Sequence, residues 1–136
     1  MKKLLLVTLF AVSAVSANVA MADGWPLSIV GNWSIIGNQS PGTLTVVTQA
    51  AIGNCRRITG TVYPGTPAAS PMEGFYCPFS GRLQFVRKSP ATNDTYQVWT
   101  GNVSQDGVVD RMGGTFTSVS AALGGSLGEY NFHGAK

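Results

Sequence analysis

From Leu27 onward, apolar residues alternate with polar ones in short segments, and Gly, Pro, Asn or Asp closes each segment. No stretch repeats its apolar residues at the helical interval. A period of two places alternate side chains on opposite faces of an extended chain, so the pattern predicts strands joined by tight turns. The clearest strands are residues 43–48, 57–63, 82–87, 95–104, 111–118 and 127–134. Residues 27–36 and a short piece at 75–77 complete eight. Asp106-Gly107 supplies the positive backbone angles of a hairpin reversal, with Ser104-Gln105 leading into it. Eight strands with no helix to cover them must bury one face against each other, and local hairpins favour closure over a sandwich. The expectation is an all-β protein: an eight-stranded antiparallel up-and-down meander barrel. Its interior would either be packed with side chains or hold one small ligand. Gly60, Gly101, Gly113 and Gly114 fall inside strands, where a small barrel needs bends. Pro64 to Ser70 reads as an exposed loop.

Residues 1–22 have a different character. Lys2 and Lys3 precede an apolar run from Leu4 to Val15, and Ala20-Met21-Ala22 has the small-x-small form of a signal-peptidase site. The chain is therefore expected to be exported, secreted or periplasmic, with cleavage after Ala22 and one domain at 23–136. The apolar run is too short to span a bilayer, and no later segment is a candidate. Of nine Lys and Arg, the leader takes two, leaving seven against six acids and a mature charge of +1. That balance gives no electrostatic footprint for nucleic acid. Arg56, Arg57, Arg82, Arg87 and Lys88 read as a solvated strand face. Cys55 and Cys77 are the only cysteines, and in an oxidising compartment an even pair reads as one disulfide, which here would tether the 64–70 loop. With His133 the lone histidine, neither a zinc site nor another metal or cofactor is expected.

Several motifs resemble the calycin-type barrels, and within them the avidins and streptavidins. Gly31-Asn32-Trp33 resembles the first-strand glycine-x-tryptophan. Ile58-Thr59-Gly60-Thr61 is similar to the third-strand motif and Thr95-Tyr96-Gln97-Val98-Trp99-Thr100-Gly101 to the sixth strand. Leu127-Gly128-Glu129-Tyr130-Asn131-Phe132 is similar to the closing strand. The resemblance implies a ligand pocket in which Thr95, Gln97 and Trp99 hold family-like positions. It departs elsewhere. Ile35 stands where the family has a polar asparagine, and Ser40 falls roughly at a pocket serine. Val62 stands at a pocket tyrosine and Pro64 near another pocket serine. Phe116 replaces a tryptophan, and Ala121-Ala122-Leu123-Gly124-Gly125 occupies the lid loop. Losing matched polar groups costs orders of magnitude in affinity, so biotin itself is not the expected ligand.

Three functions follow. The first is a binder of a small apolar or aromatic molecule, with Trp99, Trp33 and Tyr63 as walls and Thr95, Gln97 and Ser40 as hydrogen-bonding groups. The second is a protein-binding barrel, most concretely a calycin-type protease inhibitor that inserts Asp23-Gly24-Trp25-Pro26-Leu27 into a partner. The third is a structural or surface protein with a filled core. No enzyme is expected. Gly124-Gly125-Ser126-Leu127-Gly128 matches a hydrolase nucleophile pattern by letter but lacks the strand-to-helix elbow, and His133 has only Glu129 nearby. The avidin resemblance also implies homo-oligomers that associate through sheet faces, with Val103 and Val119 as candidate contacts.

Overall fold

The computed structural model describes residues 24–62, 70–88, 95–120 and 122–136, with Thr95 described by its backbone alone. Eight strands are present: β1 (Gly31–Gly37), β2 (Ser40–Ile52), β3 (Cys55–Val62), β4 (Ser70–Cys77), β5 (Arg82–Lys88), β6 (Thr95–Asp106), β7 (Val109–Ser120) and β8 (Gly125–Ala135). Each pairs antiparallel with its neighbour in sequence, and β8 returns to β1 through Ser34↔Ala135 to Gly37↔Phe132. The result is a closed antiparallel meander barrel, a fold compatible with the calycin and avidin barrels.

Alternation decides what is inside. Trp33 and Ile35 of β1, Leu44 and Val46 of β2, Leu83 and Phe85 of β5, and Trp99 and Val103 of β6 are all buried. Their odd-and-even partners face water. The register slips twice. Between Val46 and Thr48 the extra residue Val47 is pushed outward, and the alternation beyond it is inverted so that Gln49 follows the inner face. A second shift between Ser118 and Val119 leaves Leu127 as the extra residue of β8.

Small side chains are required where the inner wall is crowded. A Cβ on Gly60 would lie 1.9 Å from the Thr45 carbonyl oxygen, and one on Gly114 would lie 2.1 Å from that of Thr100. Gly113 is different, since a Cβ there would meet nothing nearer than 3.5 Å. It is the one strand glycine of the four without that steric reason.

The barrel has two unlike ends. At the lower end the chain enters at residues 24–30, which precede β1. Residues 27–30 were expected to be strand, but Pro26 has no N–H for a ladder and the segment is held by side chains instead. The Tyr76 hydroxyl donates to Pro26 O (2.5 Å). Gln49 binds the segment with both ends of its amide, accepting from Ile29 N (3.0 Å) and donating to Leu27 O (2.8 Å). Trp33 Nε1 donates to Ile29 O at 2.8 Å, and Ile29 is fully buried. Lys136 completes the closure, 3.4 Å from Asp110 and 5.0 Å above the Trp33 ring.

Cys55 and Cys77 form the disulfide, with Cα atoms 4.1 Å apart. It closes the lower end of the β3–β4 pair, whereas the 64–70 connection leaves from the upper end. The expected tether is therefore corrected: the antiparallel pairing puts the cysteines at the opposite end from that connection. Residues 63–69 lie outside the described residues, and Ser70 is the buried first residue of β4, paired with Val62. The reversal after β6 also differs in extent, because Ser104 to Asp106 remain in the ladder and Gly107-Val108 make the turn.

Candidate functional site

At the upper end, several of the inward-facing residues are polar. A recess of about 360 Å³ opens there, lined by Ser40, Arg87, Gln97, Phe116, Ser118 and Tyr130, with Gly37 and Asn38 at its rim. The β1–β2 reversal at this rim is tight, with Asn38 and Gln39 both at positive φ (48° and 63°). Two consecutive positive angles match the right-handed twist of the strands they join. Asn38 N donates to Asn131 O at 3.0 Å, fixing the turn to β8.

Gln97 organises the recess. Its Oε1 accepts from an Arg87 guanidinium N–H (2.9 Å) and from Trp99 Nε1 (3.3 Å), while its Nε2 donates to Ser118 Oγ (3.1 Å). With two donors aimed at one end of the amide, its orientation is determined by its neighbours. Below lies a column of rings. Phe85 stacks on Trp99 at 5.3 Å, Trp99 on Phe116 at 4.2 Å, and Phe116 leans against Tyr130 at 5.3 Å. Phe132 meets Trp99 edge-on at 4.8 Å. Phe116 and Tyr130 are thus a supported aromatic wall, held before any ligand arrives.

The structure sorts the residues singled out by sequence. Ser40 and Gln97 line the recess. Trp99 is fully buried beneath it, touching the site through Gln97 and Phe116 rather than presenting its own face. Trp33 is corrected: it lies toward the lower end, bound to Ile29 and covered by Lys136, because β1 starts at that end and Trp33 is its third residue. Tyr63 and the Thr95 side chain lie outside the described residues. Arg87 was grouped with a solvated basic face, but the alternation Leu83, Phe85, Arg87 turns it inward at the mouth, while Arg57, Arg82 and Lys88 are exposed. That alternation was the signal that could have found it. Ser118 and Tyr130 were legible by the same count along Met112–Phe116 and from Phe132.

Other features take ordinary places. Val103 is fully buried and cannot contact a partner, since it shares the inner face with Trp99; Val119 is on the outer one. Trp25 is half-exposed and packs at Gly81 on the lower end. Gly125 and Ser126 open strand β8, so no helix follows Ser126. Outside the barrel, Val47, Thr59, Thr61, Val86 and Tyr96 line a shallow, mainly apolar groove of about 660 Å³ across β2 to β6. The Arg57–Glu73 ion pair bounds it on one side.

Among the described residues, burial shifts one group clearly. The Tyr76 hydroxyl is pushed up to about 12, first by loss of hydration and then by the nearby Asp110 charge. It therefore keeps the proton that it donates to Pro26. No helix of the described residues is long and apolar enough to cross a membrane. No family model matches the chain, and no curated protein sequence is significantly similar to it.

Proposed function

We propose that this is an exported small-ligand-binding barrel of avidin-like type, taking its ligand in the recess at the upper end. The observation that carries this reading is the combination of a concave opening, a supported Phe116–Tyr130 wall, and a polar group whose orientation is already determined at Gln97. Binding sites are mostly apolar clefts with a few placed polar groups, and about 360 Å³ is at the small end of their range. Below the recess the barrel is filled by Trp99, Phe85 and their neighbours. A ligand would therefore occupy only the upper part. Biotin is not favoured, because Ile35 is buried in the core where the resembling family has a hydrogen-bonding group.

The inhibitor reading requires residues 24–27 to reach into a partner. Here Gly24 O, Pro26 O and Leu27 O all accept hydrogen bonds from the barrel. Releasing them would open the lower end, so the ligand-binding reading is preferred. The leader at 1–22 and the Cys55–Cys77 bridge support export to an oxidising compartment.

Tryptophan emission of the mature protein, titrated with biotin and a panel of aromatic metabolites, tests the proposal. A saturable change that disappears in Tyr130→Ala is expected for at least one aromatic compound. No response from any of them, in a folded protein, would overturn it. Tyr130 is the better probe than Trp99, because it is only partly buried at the edge of the core whereas Trp99 lies wholly within it.

A further inference from the structure

We infer that the lower end of the barrel docks on an anionic lipid bilayer, inserting its turn tips to the depth of the headgroups. The first observation is where the chain leaves large apolar side chains in water. Each of the three hairpin reversals at that end carries one: Ile52 at β2–β3 (52% exposed), Phe79 at β4–β5 (67%) and Val108 at β6–β7 (97%). Residues 24–30, which close the same end, add Leu27 (74%) and Trp25 (48%). Tight reversals are normally built from Gly, Asn, Asp, Pro or Ser, and none of these five side chains belongs to the buried core. Four separate segments thus bring exposed apolar groups to one end, and such a gathering marks an interaction surface.

Charge and backbone pairing point to lipid as the occupant. Asp106 lies 3.6 Å from Arg111 and Asp110 lies 3.4 Å from Lys136, so each acid of the β6–β7 hairpin is matched by a base. Arg56 and Arg82, which follow the β2–β3 and β4–β5 tips, have no acidic partner within salt-bridge distance among the described residues. Guanidinium groups set just behind apolar tips fit phosphate headgroups above an acyl layer, where tryptophan also prefers to sit. A surface that enters lipid must also leave little unpaired backbone. The carbonyls of Gly24, Pro26, Leu27, Ile29 and Val30 all accept hydrogen bonds from the barrel. Seated this way, the protein holds its upper recess away from the bilayer, so lipid docking and entry to the recess do not compete.

Co-sedimentation of the mature, disulfide-bonded protein with vesicles of phosphatidylcholine, alone or mixed equally with phosphatidylglycerol, tests this. Binding to the mixed vesicles is expected, and high salt should weaken it. Phe79→Ser combined with Val108→Ser should lower binding by about tenfold or more, with an unaltered melting temperature showing that the fold is intact. Arg82→Gln should weaken binding to the mixed vesicles alone. Leu123→Ser removes an exposed apolar residue at the opposite end and should change nothing. Bromine on the lipid acyl chains should quench Trp25, and Trp25→Phe should abolish that quenching because Trp33 and Trp99 are fully buried. No binding to the mixed vesicles, binding that survives the paired Phe79 and Val108 changes, or binding lost in Leu123→Ser would overturn the inference. Equal binding to both vesicle types would overturn the anionic class. A lipid-free dimer that dissociates on the same paired changes would assign the tips to a second copy and overturn the lipid reading as well.

Discussion

Two aromatic residues show how differently one side-chain type is used here. Trp99 is enclosed by Phe85, Phe116 and Phe132, and truncating it leaves a cavity that the stacked rings cannot collapse into. Trp99→Ala should cost about 3–5 kcal/mol in urea unfolding, with loss of ligand binding following from disorder of Phe116. Tyr76 is tied to pH. Its pKa, raised from 10.0 to about 12 in the fold, means the native state holds the proton more tightly than the unfolded chain. Its contribution is therefore fully present below pH 10 and is lost as pH rises toward 12. Wild-type protein should show a steep fall in stability across that window. Tyr76→Phe, which cannot ionise, should start lower at neutral pH for lack of the bond to Pro26, yet have a flatter alkaline profile. Glycine offers a sharper contrast. Gly60→Ala drives a Cβ into the Thr45 carbonyl and should destabilise by several kcal/mol, whereas Gly113→Ala should change the melting midpoint little.

The elements follow from alternation, and the exceptions from single residues. The strands that carry Leu44, Phe85, Trp99 and Phe116 were legible because apolar residues recur at every second position. Their extents were less so. β2 runs to Ile52, beyond the alternating stretch, because pairing with β3 supplies backbone partners that no propensity records. The inversion at Val47 could not be read from the sequence, since a bulge depends on which strand lies alongside. Residues 27–30 look like strand yet lie outside the ladder, held instead by Gln49 and Trp33. The disulfide acts on the β3–β4 element from its lower end. Replacing Cys55 and Cys77 together by Ala should cost roughly 3 kcal/mol, the loop-closure value for a separation of 22 residues, measured by thermal unfolding under matched conditions.

At the scale of the whole molecule, closure gives the two ends different chemistry. The lower end is sealed by residues 24–30, Lys136 and Asp110, and the upper end presents the Gln97 recess. Strands β1, β2 and β5 to β8 contribute residues to the mouth, so alternation along the same strands yields both a packed core and a recess lined partly by polar groups. Deleting residues 24–30 should expose Trp33 to quencher without abolishing ligand binding at the other end. Stern–Volmer quenching beside a ligand titration would check both halves of that expectation. By itself the sequence determined the strand periodicity, the barrel class and the single cysteine pair, because these depend on neighbours along the chain and on residue counts. Which end each residue occupies was decided only by the tertiary structure. The strand directions in the closed meander, with two register shifts and the β1–β8 pairing, set that position, placing Trp33 at the floor and Arg87 at the mouth although both face inward.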